Sequence, residues 1–207
     1  MNMSLVRGIG AVLLFTQTAN AQTAADNGRF DETFRKYSKR FFSAAFDWKH
    51  FKAQGIAESN LRPDARSPVG ARGVMQLMPG TYAELKQKDA TLGEIDDPEW
   101  NIAAGIMYDR RMWEAWDTIN ADNERRRFMF ASYNAGPGNI RRAVRVARAA
   151  RLDPFVWSNI ERIGRRVRRW RSRETIGYVG KIELFHAQLE QLVPRGIAGR
   201  ILKPEAL

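Results

Sequence analysis

Carboxylates are the groups left to do chemistry in this sequence. It contains no cysteine, which removes disulfides, thiolate nucleophiles, thiolate metal sites and a lipid-modified cysteine anchor. Its two histidines, His50 and His186, are too few for a multi-histidine metal centre. His50 follows Trp48 on an apparent helix and His186 lies within an apolar one. Both read as packing or surface residues rather than as members of a Ser-His-Asp apparatus. Glu58 stands out among the carboxylates. It closes an otherwise apolar helical stretch, Gln54-Gly55-Ile56-Ala57-Glu58-Ser59-Asn60-Leu61. An exposed carboxylate at a helix C-terminus is mildly disfavoured by the dipole and otherwise inert. A carboxyl among apolar neighbours instead has a raised pKa and donates a proton near neutral pH. The residue by itself does not choose between the two.

Three further clusters bear on the choice. Ser67-Pro68-Val69-Gly70-Ala71-Arg72-Gly73-Val74-Met75-Gln76-Leu77-Met78-Pro79 lacks the Lys-Ser/Thr pair of a phosphate loop. Its glycines suit tight turns or close ligand approach. Met75 and Met78 around Gln76 would form an apolar wall carrying one amide able to read hydroxyl or acetamido groups; a purely structural loop is the competing reading. Ala131-Ser132-Tyr133-Asn134-Ala135-Gly136 sets a phenol and an amide before a glycine helix stop, either as a cap or as cleft residues. Glu174-Thr175-Ile176-Gly177-Tyr178-Val179 carries a tyrosine on a helix face that points inward. A buried phenol needs a partner, and a catalytic carboxyl is one.

The elements that must position these residues are helical. Asp47 caps a helix from Trp48 to about Glu58. Residues 60–80, rich in Pro and Gly, predict an irregular segment with a short hairpin. Thr81 and Glu84 read as a capping box before Leu85. Asp97-Pro98 starts a helix reaching about Trp116, and another covers roughly 124–134. Ile140, Ala143, Val144 and Ala147 share a helical face, with Arg141, Arg145 and Arg148 opposite. Asp153-Pro154 repeats the cap-plus-proline signal. A last long helix begins near Ser172 and places Tyr178, Ile182, Phe185 and Leu189 on one face. Strand periodicity is nearly absent, so the fold class is mostly α.

The chain has 207 residues, 44% hydrophobic and 28% charged, the proportions of one domain with a real core. Arg7, an apolar run from Ile9 to Phe15 and Ala19-Asn20-Ala21 describe a signal peptide at 1–21, cleaved after Ala21. That run is shorter than the roughly 20 residues of a membrane span, and no other segment offers one. A small, polar and disordered lead-in at 22–29, a domain at 30–195 and a tail at 196–207 follow. The net charge of +11 is concentrated between residues 141 and 173, where twelve arginines face only Asp153 and Glu161. Either this is a solvated face, or it attracts an anionic polymer: nucleic acid, an acidic cell wall or a lipid surface. The export signal makes nucleic acid the weakest of the three, and none is expected.

Taken in order, Glu58-Ser59, then Gly70-x-x-Gly73-x-Met75-Gln76-x-Met78-Pro79, then Ala131-x-Tyr133-Asn134-Ala135-Gly136, then Glu174-Thr175-x-x-Tyr178-Val179 resemble the motif set of the soluble lytic transglycosylase superfamily. The resemblance spans roughly residues 48–190 and includes Asp97-Pro98-x-x-Asn101-Ile102. The lead-in at 30–60 is most similar to the catalytic domain of the membrane-bound F-type enzymes, here without their solute-binding-like domain. The resemblance implies a lysozyme-like single domain around a groove for peptidoglycan glycan strands. It implies cleavage of the β-1,4 bond between N-acetylmuramic acid and N-acetylglucosamine, with Glu58 as general acid and then base and 1,6-anhydro product ends. Ser67, Gln76, Met78, Tyr133 and Asn134 carry over as groove residues; Ser59, Glu174 and Tyr178 as residues that orient or tune Glu58. No cofactor and no metal is implied. A hydrolytic muramidase would need a second carboxylate, for which Asp64 or Asp97 is available. A catalytically inactive wall-binding protein is a third reading. For the arginine-rich stretch the expectation is an anionic envelope or secretion-system partner, and for the protein a periplasmic or secreted location.

Overall fold

A computed structural model describes residues 28–191. The expected signal peptide, most of the lead-in and the C-terminal tail lie outside the described residues. Among the described residues eight α-helices follow in order: α1 (Asp31–Phe41), α2 (Lys49–Ser59), α3 (Pro79–Lys88), α4 (Pro98–Glu114), α5 (Asp122–Ala135), α6 (Pro137–Ala149), α7 (Trp157–Ile163) and α8 (Ser172–Gln191), with a 3-10 turn at Gly164–Arg166. Among the described residues extended pairing is limited to isolated antiparallel bridges, Arg66 to Arg72 and Arg72 to Leu77. The mostly α class holds.

Helix α5 is central, packed by α4, α6 and α8. Its Phe128-Met129-Phe130-Ala131-Ser132 stretch is buried without interruption, as expected of a helix enclosed on all sides. The one hydroxyl in that stretch, on Ser132, accepts from Trp116 Nε1 at 2.8 Å. The most extensive helix pairing is α2 against α8. Because Glu58 meets Tyr178 while Asp47 meets His186, the two helices run antiparallel.

Local signals account for most of the boundaries. Asp47 Oδ1 accepts from the Lys49 amide at 3.0 Å. Asp97 Oδ1 accepts from the amides of Glu99 and Trp100, satisfying orphan donors of α4. Two expectations fail. The capping box at Thr81 and Glu84 does not form, because Pro79 already stands at the first position of α3, after an extended Met78; Glu84 pairs with Arg111 instead. Nor does Asp153-Pro154 open a helix. Asp153 Oδ1 accepts from the Phe155 amide to close a turn. Helix α7 starts only at Trp157, whose amide is capped from α5 by Glu124 Oε2 at 2.5 Å.

Candidate active site

Glu58 sits in the last turn of α2. The chain then leaves through Asn60 and Leu61, both left-handed, with the Asn60 and Leu61 amides closing back on Ile56 and Gly55 carbonyls. This is a left-handed helix stop, and it turns the chain at once into the 60–78 segment. Ser59 ties helix and segment together: its buried hydroxyl donates to the Val74 carbonyl at 2.8 Å and accepts from the Arg62 amide at 3.1 Å. Ser59 thus holds the loop beside the carboxyl without bonding the carboxyl itself.

The loop is anchored from beneath by Asn101 of α4, which is fully buried. Its Oδ1 accepts from the Met75 amide at 2.8 Å and its Nδ2 donates to the Arg72 and Ile95 carbonyls, both at 3.0 Å. Gly73 is left-handed, and a Cβ there would lie 2.5 Å from the Asn101 amide; only glycine permits this approach. Ser67 is buried and its hydroxyl accepts from the Ala71 amide at 2.9 Å, so it shapes the turn. Gln76 takes a left-handed φ of 46° and donates to the Gly73 and Ala65 carbonyls. Met78 is partly exposed, but Met75 is fully buried against Gly105. The expected wall of two methionines is therefore one methionine. The other is a core residue, because the Asn101 bond draws its backbone inward.

Two phenols close the site. Tyr178, buried on α8, donates to Glu58 Oε1 at 2.6 Å. Tyr133, in the last turn of α5, donates to the Met75 carbonyl at 2.7 Å and sets its ring edge-to-face with Tyr108 at 5.1 Å. Asn134 is partly exposed in the same turn, while the helix stop belongs to Gly136. Glu174 is half-buried, and its ion partner is Arg171 at 3.7 Å rather than any group of the Glu58 cluster.

Burial raises the Glu58 pKa from its ordinary 4.5, and the Tyr178 bond draws it back only in part, to about 8. A carboxyl in that state is protonated at neutral pH and can serve as an acid. A second carboxyl lies within its electrostatic reach. Asp109 of α4 is fully buried and accepts from Gln54 Nε2 at 3.3 Å. Burial pushes its pKa well above the ordinary 3.8, and the neighbouring Glu58 pushes the same way. Burial thus favours its protonated form. Asp97 is occupied in capping α4, and Asp64 is exposed on the loop.

Comparison with known proteins agrees with this architecture. The Transglycosylase SLT domain matches residues 39–155. The chain belongs to this family. Among curated relatives, the membrane-bound lytic murein transglycosylase F of Vibrio cholerae is 35% identical over 133 residues, 64% of this chain and 23% of that protein. The same enzyme of Vibrio campbellii is 35% identical over 153 residues, 72% of this chain and 28% of that protein. The chain thus spans about a quarter of the length of the curated relatives it matches. The 70 kDa soluble lytic transglycosylase of Escherichia coli superposes with a TM-score of 0.62 at 27% identity, over 81% of this chain and 25% of that one. An inactive glutamate-to-glutamine mutant of the lytic transglycosylase Slt of Pseudomonas aeruginosa superposes with a TM-score of 0.59 at 24% identity, over 80% and 24%. The fold is the lysozyme-like one of SLT transglycosylases.

Reading along the sequence missed Asp109 and Gln54. The signal was available: Asp109 follows Ile102 and Ile106 on one helical face, where an acid interrupts an apolar stripe.

Proposed function

We propose that this chain is a peptidoglycan lytic transglycosylase. Glu58 protonates the glycosidic oxygen between N-acetylmuramic acid and N-acetylglucosamine. The resulting carboxylate then takes the proton from the muramoyl 6-hydroxyl, which closes onto C1 and leaves a 1,6-anhydro end. The observation that carries this reading is the geometry of the cluster: one carboxyl at the end of α2, bonded to a single phenol, with burial raising its pKa to about 8. The adjoining carboxyl, Asp109, is fully buried and bonded to Gln54, out of reach of the bulk water that a hydrolytic muramidase must activate. Tyr178 on Oε1 leaves Oε2 as the oxygen carrying the acidic proton. Gln76, Met78, Tyr133 and Asn134 form the glycan-facing rim in this reading, Ser67 holds the turn behind it through the Ala71 amide, and Glu174 is the far border near the start of α8.

Digestion of purified sacculi followed by mass spectrometry tests it. Anhydro-muropeptides from the wild type and none from Glu58→Gln are expected. Reducing-end products would favour hydrolysis, and wild-type biological activity retained by Glu58→Gln would favour a wall-binding protein. The enzyme acts in the periplasm or outside the cell once the signal is removed near Ala21. Among the described residues no helix is long and apolar enough to cross a membrane.

The arginine-rich stretch docks an anionic partner of the envelope, with the acidic peptides of murein the simplest. Eleven of its twelve arginines are exposed, and among the described residues only Arg171 has an acidic partner. Beside it, Arg165, Arg171, Arg173 and Glu174 line an open recess of about 460 Å³. Charge reversal at Arg165, Arg166, Arg168 and Arg169 should weaken cosedimentation with sacculi; unchanged binding would leave the stretch a solvated surface.

A further inference from the structure

The two histidines of the protein stand 136 positions apart and converge on one aspartate. His50, in the first turn of α2, stacks on His186 of α8, ring centroids 3.8 Å apart and planes 12° apart. His186 Nε2 lies 2.6 Å from Asp47 Oδ2. One ligand atom from each of the three residues can be chosen so that all lie within 4.8 Å of one another. We propose that Asp47, His50 and His186 form a divalent transition-metal site of the zinc class across the N-terminal end of the α2–α8 seam.

The ligand chemistry fits. Two imidazoles and a carboxylate, with further positions left to water, are a common set for zinc and for ferrous, cobalt or nickel ions. The expectation that two histidines are too few overlooked the carboxylate as the third ligand. Tetrahedral zinc with bonds near 2.1 Å separates its ligand atoms by roughly 3.4 Å. Ligand atoms up to 4.8 Å apart must close by at most about 1.4 Å, and one imidazole must turn out of the stack so that both in-plane lone pairs meet the ion, a side-chain rotation. The site is also prepared. The Lys49 amide holds Asp47 through Oδ1, which leaves Oδ2 directed at the imidazole. Lys49 Nζ is engaged in an ion pair with Glu190, and Arg126, whose charge acts on His50, is the opposing cation. All three ligands are partly exposed, which gives an ion an entry path. The position is eight residues from Glu58 along α2, about 12 Å at helical rise, so the metal would staple two helices rather than join the glycan chemistry.

The full chain, purified without a polyhistidine tag and stripped with EDTA, is titrated with zinc chloride by calorimetry and thermal melting, and with cobalt chloride by visible absorption. One saturable equivalent is expected, with a zinc-dependent rise in Tm and cobalt ligand-field bands. All should be lost in His50→Phe, which keeps the ring packing, and in His186→Gln, whose amide can keep the bond to Asp47. Circular dichroism checks that both variants are folded. Absence of saturable binding by the folded wild type, or binding unchanged in both variants, overturns the site and leaves a hydrogen-bonded clasp.

Discussion

Each end of the antiparallel α2–α8 pair is closed by a carboxyl bonded across the seam, and the two carboxyls are in opposite charge states. Burial pushes both pKa values upward. At the start of α2 the His186 bond and the Lys49 amide overcome that push and hold Asp47 at about 2. At the end of α2 a single neutral phenol opposes it, and Glu58 stays at about 8. The amides of a helix start favour an anion, and a helix end offers none. The same chemical group thus becomes a fixed charge or a proton donor through the number and type of donors facing it.

The largest expected effect comes from removing the proton donor. Glu58→Gln should lower murein cleavage at least about 1000-fold with helical content unchanged; a rate within tenfold of wild type would break the assignment of the two ends. Tyr178→Phe should cost about tenfold. Since the phenol bond lowers the Glu58 pKa, its loss should also move the alkaline limb of the pH–rate profile above 8, and a limb that stays in place would detach Tyr178 from the titration. In stability the isosteric amide substitutions should have opposite signs. Unfolded, Glu58 ionises near 4.5; folded, near 8. The folded chain therefore holds an extra proton in that window, and stability falls as pH rises through it. Glu58→Gln should then stabilise at pH 7 by about 1–3 kcal/mol, a gain absent below pH 4.5. Asp47→Asn, measured with EDTA present, should cost about 1–2 kcal/mol, because an amide offers one acceptor where the carboxylate uses two. Denaturant titration at pH 4 and 7 reads both. The smallest effect is expected from Asp109→Asn, within about 1 kcal/mol and with no movement of the alkaline limb, since burial favours the protonated form that an amide mimics; a displaced limb would reveal an ionised Asp109.

The ends of the seam also differ in what could be read before folding. Asp97-Pro98, the stop at Gly136 and the inward stripe from Tyr178 to Leu189 are local signals, and the helices obey them. The inward face of Tyr178, where it meets a carboxyl, was legible for the same reason, because helical spacing fixes which way a residue points. Thr81 and Glu84 misled because a proline two residues earlier takes the first helical position without a side-chain cap. Met75 misled because its surroundings are set by Asn101 and Gly105, both more than 25 positions away. The meeting of His50 with His186 has no local trace at all. Contacts that depend on two helices docking in register are invisible to periodicity, and that limit covers the whole N-terminal end of the seam.

The charge state of Glu58 also decides what kind of inhibitor can use it. A neutral carboxyl does not form an ion pair, so a basic sugar mimic aimed at this residue meets little attraction at pH 6. Its affinity should climb about tenfold per pH unit until Glu58 ionises near 8. A neutral ligand with a hydrogen-bond acceptor for the acid proton would have the opposite profile and suit the protonated form of Glu58.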